Sequence, residues 1–211
     1  MATLLLRLAA LLQAWGSSSK FKIRSTEREP TKSGVIGMIA AAMGIQREDP
    51  DSLEPLKRLR FGVRVDREGR LLRDYHTVLT AKGTEVTERY YLSDAVFLAA
   101  LESDDKVLLE RIKEALQHPV YPLFLGRRSC PPTLPLVVGI REEALLPALK
   151  HASFLSEPKG AGLRIVCDSA AGGILVSDVP DSFSQLHRRY AYRYKQESML
   201  LVTEHDPMAE L

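Results

Sequence analysis

The apolar residues of this chain alternate between strand-like and helix-like spacing, and the order of these patterns restricts the fold more than any other feature. A continuous or alternating apolar pattern predicts a strand at residues 3–8, 60–66, 95–101 and 134–140. A helix is predicted between the first two strands, around the apolar run from Val35 to Met43. A second helix is predicted between the last two, at residues 104–117, where apolar residues recur at helical spacing. The order is therefore β-α-β-β-α-β, with a hairpin at residues 70–92 set aside.

This order predicts an α+β protein with a ferredoxin-like (RRM-like) domain over residues 1–140. The N-terminal apolar run could also belong to a secretion signal, but Arg7 lies inside the run instead of before it. We therefore interpret the run as the first strand. Residues 141–211 contain short strand patterns around a Gly-rich turn, and we expect a smaller β-rich domain there, with a sheet of its own.

A long β-hairpin is predicted at about residues 70–92. Its arms are residues 71–80 and 84–92, and Lys82-Gly83 forms the tip. Each face of the first arm mixes apolar with polar or charged side chains, so neither face is apolar enough to lie on a core. An isolated two-stranded ribbon is only marginally stable in water. We therefore expect the hairpin to protrude toward a partner.

The charge balance excludes a protein whose overall field attracts nucleic acid. The chain has 29 Lys and Arg against 27 Asp and Glu, a net charge of +2, so a basic site must be local. Cys130 and Cys167 lack Cys or His neighbours at metal-ligand spacing, and the five histidines show no ligand motif. We therefore predict no metal, no cofactor and no disulfide framework, and a reducing cytoplasmic location.

Two segments could supply local phosphate sites. Thr31-Lys32-Ser33-Gly34 opens a helix, where free backbone N–H groups and a lysine could hold a phosphate. An ordinary cap with a solvated lysine is an equally good interpretation. Arg127-Arg128 follows Gly126 in a loop that prolines keep non-helical, and arginine forks suit phosphate oxygens. Two merely solvated arginines are again an equal alternative.

Residues 188–195, RRYAYRYK, alternate basic and aromatic side chains. Tyr190, Tyr192 and Tyr194 should share one strand face, opposite Arg189, Arg193 and Lys195. Such a strand could stack bases and contact phosphates. We favour the alternative in which the tyrosines pack inward and the cations face water.

The hairpin also carries a candidate catalytic set. Tyr75, His76 and Lys82 could form a metal-free ribonuclease site, in which histidine and lysine activate a 2′-OH and stabilise the leaving group. The alternative is that these side chains bind RNA or pack on a partner. We favour this second interpretation, because no complete acid, base and oxyanion-stabilising set is evident.

Several motifs occur together in a consistent order between residues 3 and 140. They are LLLRLAALLQAWGSSSKF, PTKSGVIGMIAAAMGI, RDYHTVL, LSDAVFLAAL and LGRRSCPPTLPL. Together they resemble the Cas-five family of the repeat-associated (RAMP) superfamily, whose type I-E members are the CasD subunits of CRISPR Cascade. A weaker similarity continues near residues 183–195.

This resemblance implies a ferredoxin-like domain with a protruding thumb hairpin and a small C-terminal domain. It implies a subunit that grips the 5′ handle of the CRISPR RNA and caps one end of the Cascade filament. The implied partners are the CRISPR RNA, the CasC backbone subunits, the large CasA subunit and other Cascade proteins, with target DNA reached only through the complex and no membrane. The predicted RNA-binding residues are Lys20, Arg24, Lys32, Ser33, His76, Lys82, Arg127 and Arg128.

The resemblance also sharpens the question of catalysis. Related type I-C members are endoribonucleases that process CRISPR repeat RNA with a tyrosine, a lysine and a histidine, and Tyr75, His76 and Lys82 match that set poorly. In type I-E systems the separate CasE subunit cuts the transcript. The resemblance therefore favours a non-catalytic RNA-binding subunit over a metal-independent endoribonuclease.

Overall fold

The computed structural model describes residues 1–16, 22–81, 83–170, 172–184 and 186–202. The helices are α1 (Lys32–Ala42), α2 (Pro50–Lys57), α3 (Lys106–Gln117) and α4 (Leu145–His151). The first strands are β1 (Ala2–Ala9), β2 (Leu12–Gln13), β3 (Ile23–Arg24), β4 (Arg60–Arg67), β5 (Arg70–Thr80) and β6 (Gly83–Ser93). The remaining strands are β7 (Val96–Ser103), β8 (Val137–Arg141), β9 (Gly162–Ser169), β10 (Ile174–Ser182) and β11 (Arg189–Leu201).

Four antiparallel strands in the order β4-β7-β1-β8 form the centre of the main sheet. With α1 between β1 and β4 and α3 between β7 and β8, this is the predicted ferredoxin-like arrangement, which is confirmed. Alternate residues of β1 face opposite layers: Leu4 and Leu6 pack with the helices α1 and α3, and Leu5 packs with α4. Burial on both faces explains why β1 is a continuous apolar run.

The C-terminal strands extend this same sheet. Val63 of β4 pairs with Val166 of β9, and the complete order is β10-β11-β9-β4-β7-β1-β8. These strands therefore do not form the separate small sheet that the sequence predicted for residues 141–211. The pairing supplies hydrogen-bond partners to the β4 edge, whose backbone groups would otherwise be unpaired.

Helix α4 was not predicted, and a buried arginine explains its position. The Arg64 guanidinium is fully buried and forms a two-pronged ion pair with Asp66, with N–O distances of 2.7 and 2.9 Å. Its remaining N–H groups donate to the carbonyls of Leu149, Ala152 and Ser153 at 2.6–2.7 Å. A cation at a helix C-terminus satisfies carbonyls that lack intrahelical partners, so Arg64 fixes the end of α4 on the sheet.

The predicted hairpin is confirmed as β5 and β6, and it forms a second sheet with the short strands β2 and β3. At its base, Tyr91 and Leu92 are buried in the main core. Toward the tip, Leu79 is 83% exposed. The hairpin is therefore anchored at one end and projects at the other.

Candidate nucleic-acid interface

The motifs at the N-terminus and at the start of α1 meet at the hairpin base. Trp15 is buried, and its indole N–H donates to Gln13 Oε1 at 3.0 Å, while the Gln13 amide donates to the Ala95 carbonyl at 2.8 Å. The Trp15 ring lies so close to Gly34 that an added Cβ would be 2.9 Å from it. These residues are therefore structural, and they hold the hairpin base against α1.

The Gly126-Arg127-Arg128 loop docks on the same base. Gly126 has a φ of +87°, and an added Cβ would lie 1.6 Å from the Ala14 carbonyl oxygen, so glycine is required there. The Arg127 guanidinium donates to the carbonyls of Tyr90 at 3.0 Å and Arg24 at 2.8 Å, and stacks over the Tyr91 ring at 4.7 Å. Arg127 thus joins three segments that are distant in sequence. The next residue, Arg128, is exposed.

One face of the hairpin sheet is basic. Arg89 of β6 pairs in register with Arg24 of β3 and with Asp74 of β5, and His76 lies two residues beyond Asp74 on the same face. We call this surface, with Arg128 of the adjoining loop, the basic face: Arg24, His76, Arg89 and Arg128. Among the described residues, two carboxylates share this face: Asp74 is hydrogen-bonded to the His76 ring, and Glu85 lies 3.5 Å from the Lys22 ammonium.

Two polar atoms on this side of β6 are buried without a hydrogen-bond partner in the part of the chain that the structure describes. They are the Thr87 hydroxyl and the Arg89 Nε. Residues 87 and 89 share a strand face, and Thr87 pairs in register with His76. Leaving such groups unpaired is costly, so a rearrangement of either side chain that gave it a hydrogen-bond partner would be stabilising.

Lys32 and Ser33 do not belong to this surface. The Lys32 side chain is 7% exposed, and its ammonium lies 3.1 Å from Asp168 Oδ2. The Lys32 backbone N–H donates to Asp178 Oδ2 at 2.9 Å, and Ser33 is buried beside the capping residue Thr31. The geometry disagrees with the predicted phosphate site at this terminus, because internal carboxylates already occupy its donors.

The predicted RNA-binding residues thus separate into groups. Arg24, His76 and Arg128 lie on the basic face, whereas Arg127 supports it through backbone carbonyls. Lys20 and Lys82 lie outside the described residues. Arg89 also lies on the basic face, and it was not among the predicted RNA-binding residues. The strand alternation could have identified it, since residue 89 lies opposite Asp74 when the arms pair around the tip.

The alternative catalytic set is not brought together among the described residues. Tyr75 and His76 are consecutive strand residues and point to opposite faces of β5. Burial raises the pKa of the Cys167 thiol to about 11, helped by the Asp168 carboxylate, and burial also raises the pKa of Cys130. High thiol pKa values disfavour a thiolate nucleophile at either position. No cluster of three metal-ligating side chains occurs within the described ranges.

The opposite face of the hairpin sheet is largely apolar. Its exposed apolar side chains are Ile23, Leu71, Tyr75, Leu79 and Val86, and the exposed Thr77 and Thr84 lie among them. We call this surface the apolar face. Between these residues, Arg73 and Glu88 neutralise each other in an ion pair. Contiguous exposed apolar side chains of this kind are typical of a protein interaction surface.

The orientation of β11 is the reverse of the favoured prediction. Arg193 and Lys195 face inward, where Arg193 bonds to Asp178 and Asp168, and Lys195 lies 2.6 Å from Glu29. Tyr192 and Tyr194 face solvent. Ion pairs with these carboxylates hold the two cations on the inner side of β11. Because side chains alternate along a strand, the tyrosines face outward.

A ferredoxin-like sheet with a projecting hairpin and a local basic surface is an architecture of RNA-recognition proteins. The family model for CRISPR-associated protein (Cas_Cas5) matches residues 3–195, and the chain belongs to this family. The resemblance to the Cas-five family is thereby confirmed. None of the described helices is long and apolar enough to cross a bilayer.

Several known proteins are similar to this chain. The CRISPR system Cascade subunit CasD of Escherichia coli (strain K12) is 41% identical over 156 residues, which cover 64% of this chain and 70% of CasD. A solved structure described as a crystal structure of a Cas protein is 39% identical, with a TM-score of 0.79 over 96% of this chain and 97% of that one. A chain of a CRISPR RNA-guided surveillance complex is 34% identical, with a TM-score of 0.77 over 95% and 90% of the two chains.

Proposed function

We propose that this chain is a non-catalytic CRISPR RNA-binding subunit of a type I-E Cascade surveillance complex, acting in antiviral defence in the cytoplasm. It grips the 5′ handle of the CRISPR RNA through the basic face and caps one end of the backbone filament. The observation that carries this proposal is the convergence of Arg24, Arg89 and Arg128 from three distant segments at the base of the hairpin. The similarity to Cascade CasD supports the same role.

The chemistry of the basic face suits a single strand of RNA. Arginine forks bind phosphate oxygens through paired N–H groups, and Arg24 and Arg128 are exposed to solvent. The Arg127 guanidinium already stacks on the Tyr91 ring, so this ring is not available to stack on an RNA base. The basic face therefore positions the RNA backbone, and phosphate contacts alone carry no sequence information.

The apolar face suits contact with other subunits. Ile23, Leu71 and Tyr75 are more than half exposed, and their burial against a protein would remove apolar surface from water. The hairpin arms have 11 residues each, which at about 3.3 Å per residue span roughly 35 Å. In this proposal one side of the hairpin covers RNA, while the other contacts the CasC backbone subunits or the large CasA subunit.

The test is binding of a fluorescent CRISPR RNA handle at several salt concentrations. In the Arg24→Ala/Arg128→Ala variant two phosphate contacts are lost, so the affinity should fall and the slope of log K against log salt should flatten by about 1.4. Arg47→Ala/Arg111→Ala is the matched control, because it removes two exposed arginines from the helical side of the molecule. The control should retain the affinity and slope of the unmodified chain.

Two outcomes would contradict the assignment. An unchanged salt slope in the Arg24/Arg128 variant would show that these residues do not neutralise phosphates. An equal loss in the control variant would show that only total charge matters.

A further inference from the structure

The charged residues of the three C-terminal strands all lie on one side of the main sheet. On β9 and β11 these residues occupy alternate strand positions and therefore share one face. On β10 they form ion pairs with charged residues of that same face of β11, or with helix α2. They are Arg164, Asp168, Asp178, Asp181, Arg189, Arg193, Lys195 and Glu197. They form ion pairs with each other or with Glu29, Lys32, Lys57 and Glu68. This internal neutralisation fixes which side of each strand faces inward.

The other side of these strands carries no charged residue within the described ranges. It presents Leu175, Tyr192, Tyr194 and Gln196, which we call the tyrosine face. Tyr192 is 70% exposed, Leu175 is 53% exposed and Tyr194 is 44% exposed. Leu175 and Tyr194 are register partners, so they form one continuous surface.

Among the described residues, no helix or strand covers this surface. Helix α4 covers the same side of the sheet, but it packs on β1, β4, β7 and β9. Farther out, β10 packs with α1 and α2 on the opposite side. Large aromatic and aliphatic side chains thus lie next to one another in water.

We propose that the tyrosine face is a docking surface for another protein subunit of the complex, one that presents an uncharged apolar patch. Depletion of charge together with enrichment of tyrosine is the composition of a protein interface core. The tyrosine hydroxyls and the Gln196 amide add neutral hydrogen-bonding groups, which complement backbone or amide groups of the partner. The proposal rests on the proposed role as a complex subunit, and it assigns a contact separate from the hairpin.

Nucleic acid fits this surface less well. Binding a strand requires cations that neutralise phosphates, and the cations of β11 are directed away and already paired. Arg60 of the neighbouring β4 points to the same side as Cys167, but its guanidinium lies 2.7 Å from Glu102. Charge complementarity therefore favours a neutral protein partner over RNA.

The test compares assembly with RNA binding. The chain is co-expressed with the other Cascade subunits and CRISPR RNA, and incorporation is measured by native mass spectrometry. Tyr192→Thr/Tyr194→Thr should lower incorporation at least tenfold, while the isolated variant keeps its melting temperature and its affinity for the RNA handle. Met199→Thr is the matched control, because Met199 is exposed on the opposite side of β11 and should assemble normally.

A second variant keeps the test decisive if the double substitution unfolds the chain. Gln196→Lys leaves both tyrosines in place and introduces a charge into the tyrosine face, so it should also reduce incorporation. Normal incorporation of both Gln196→Lys and a folded tyrosine variant would overturn the inference. Normal incorporation together with weaker RNA binding would also overturn it, because that result would identify a nucleic-acid surface. Failure of the unmodified chain to assemble would overturn the proposed function as well, whereas failure of this inference alone leaves handle binding intact.

Discussion

Arg193 and Asp178 form a two-pronged ion pair at the N-terminus of α1, with Nε–Oδ1 at 2.6 Å and Nη2–Oδ2 at 2.8 Å. The same carboxylate accepts the Lys32 backbone N–H. A register irregularity between Ser177 and Val179 accompanies this arrangement, with Asp178 as the extra residue of β10. One side chain thus binds the neighbouring strand β11 and also caps a helix that lies far away in the sequence.

Asp178→Asn should therefore destabilise the chain by about 3 kcal/mol, since it leaves the Arg193 guanidinium largely buried and short of one carboxylate. The free energy of unfolding in urea measures the change. Arg189→Gln is the control, because it removes a more exposed ion pair with Asp181 and should cost at most about 1 kcal/mol. Equal losses in the two variants would contradict this view of Asp178.

The fold was more predictable from the sequence than the functional surfaces were. Apolar periodicity reports local burial, so it identified the strands of the ferredoxin-like sheet and the hairpin arms. The alternation in β11 shows that tyrosines and cations lie on opposite faces, but it cannot show which face is inside. Asp168 and Asp178 decide that, and their proximity to Arg193 appears only after folding.

The same limitation explains the lysine at the start of α1. Lys32 follows a good capping residue and resembles a phosphate ligand, yet Asp168 pairs with it from β9. Nothing local to either segment indicates this pairing, which is a long-range consequence of β9 joining β4. By contrast, the positive φ of Gly126 is a local constraint that a glycine in a loop can indicate, whereas its close approach to the Ala14 carbonyl is long-range.

The buried Glu29 carboxylate should give the stability a distinct dependence on pH. Burial alone would raise its pKa, but the hydrogen bond and charge of Lys195, together with the charge of Arg164, outweigh burial and hold the pKa below its ordinary value of 4.5. A depressed folded-state pKa contributes stability that is complete above the unfolded value and is lost as the pH falls through the folded value. The stability of the unmodified chain should therefore decline below about pH 4.5, and the decline should be shallower in Glu29→Gln. Urea unfolding from about pH 5.5 to about pH 3 measures both slopes, and parallel profiles would contradict the assignment.

The outer part of the hairpin should be dispensable for folding. Replacing residues 76–87 by a short Gly-Ser turn removes exposed strand and keeps the β3–β6 pairing and the buried base, so the melting temperature should change by less than about 2 °C. The shortened chain should not enter the complex with the backbone subunits, because the outer part of the apolar face, Leu79 and Val86, is lost. Removing residues 71–92 is the contrasting case and should unfold the protein, since it deletes Tyr91 and Leu92 from the core. Normal incorporation of the shortened chain would show that the outer hairpin has no role in assembly.

The purified chain should not cleave CRISPR repeat RNA in the presence of EDTA. Tyr75 and His76 point to opposite sides of β5, and His76 is engaged with Asp74, so a base and a partner acid do not converge on one phosphate. Denaturing gels of end-labelled repeat RNA provide the measurement. Cleavage at the handle boundary that disappears in His76→Ala would establish the metal-independent endoribonuclease instead.

Gly126→Ala should affect both stability and RNA binding, because the close approach of residue 126 to Ala14 places the arginine loop. The new Cβ would overlap the Ala14 carbonyl oxygen, and the positive φ is itself unfavourable for alanine, so the chain should lose at least about 2 kcal/mol of stability. Displacement of the loop should break the Arg127 hydrogen bonds to Tyr90 and Arg24, and the affinity for the RNA handle should fall with it.

Gly172→Ala is the control that separates the effect of the positive φ from the effect of the steric overlap. Gly172 has a similar φ of +76°, but no described atom lies within 4 Å of the added Cβ. The substitution should therefore cost about 1–2 kcal/mol and leave RNA binding unchanged. Urea unfolding and handle binding of both variants test this, and equal RNA affinities would show that the arginine loop does not depend on the Gly126–Ala14 contact.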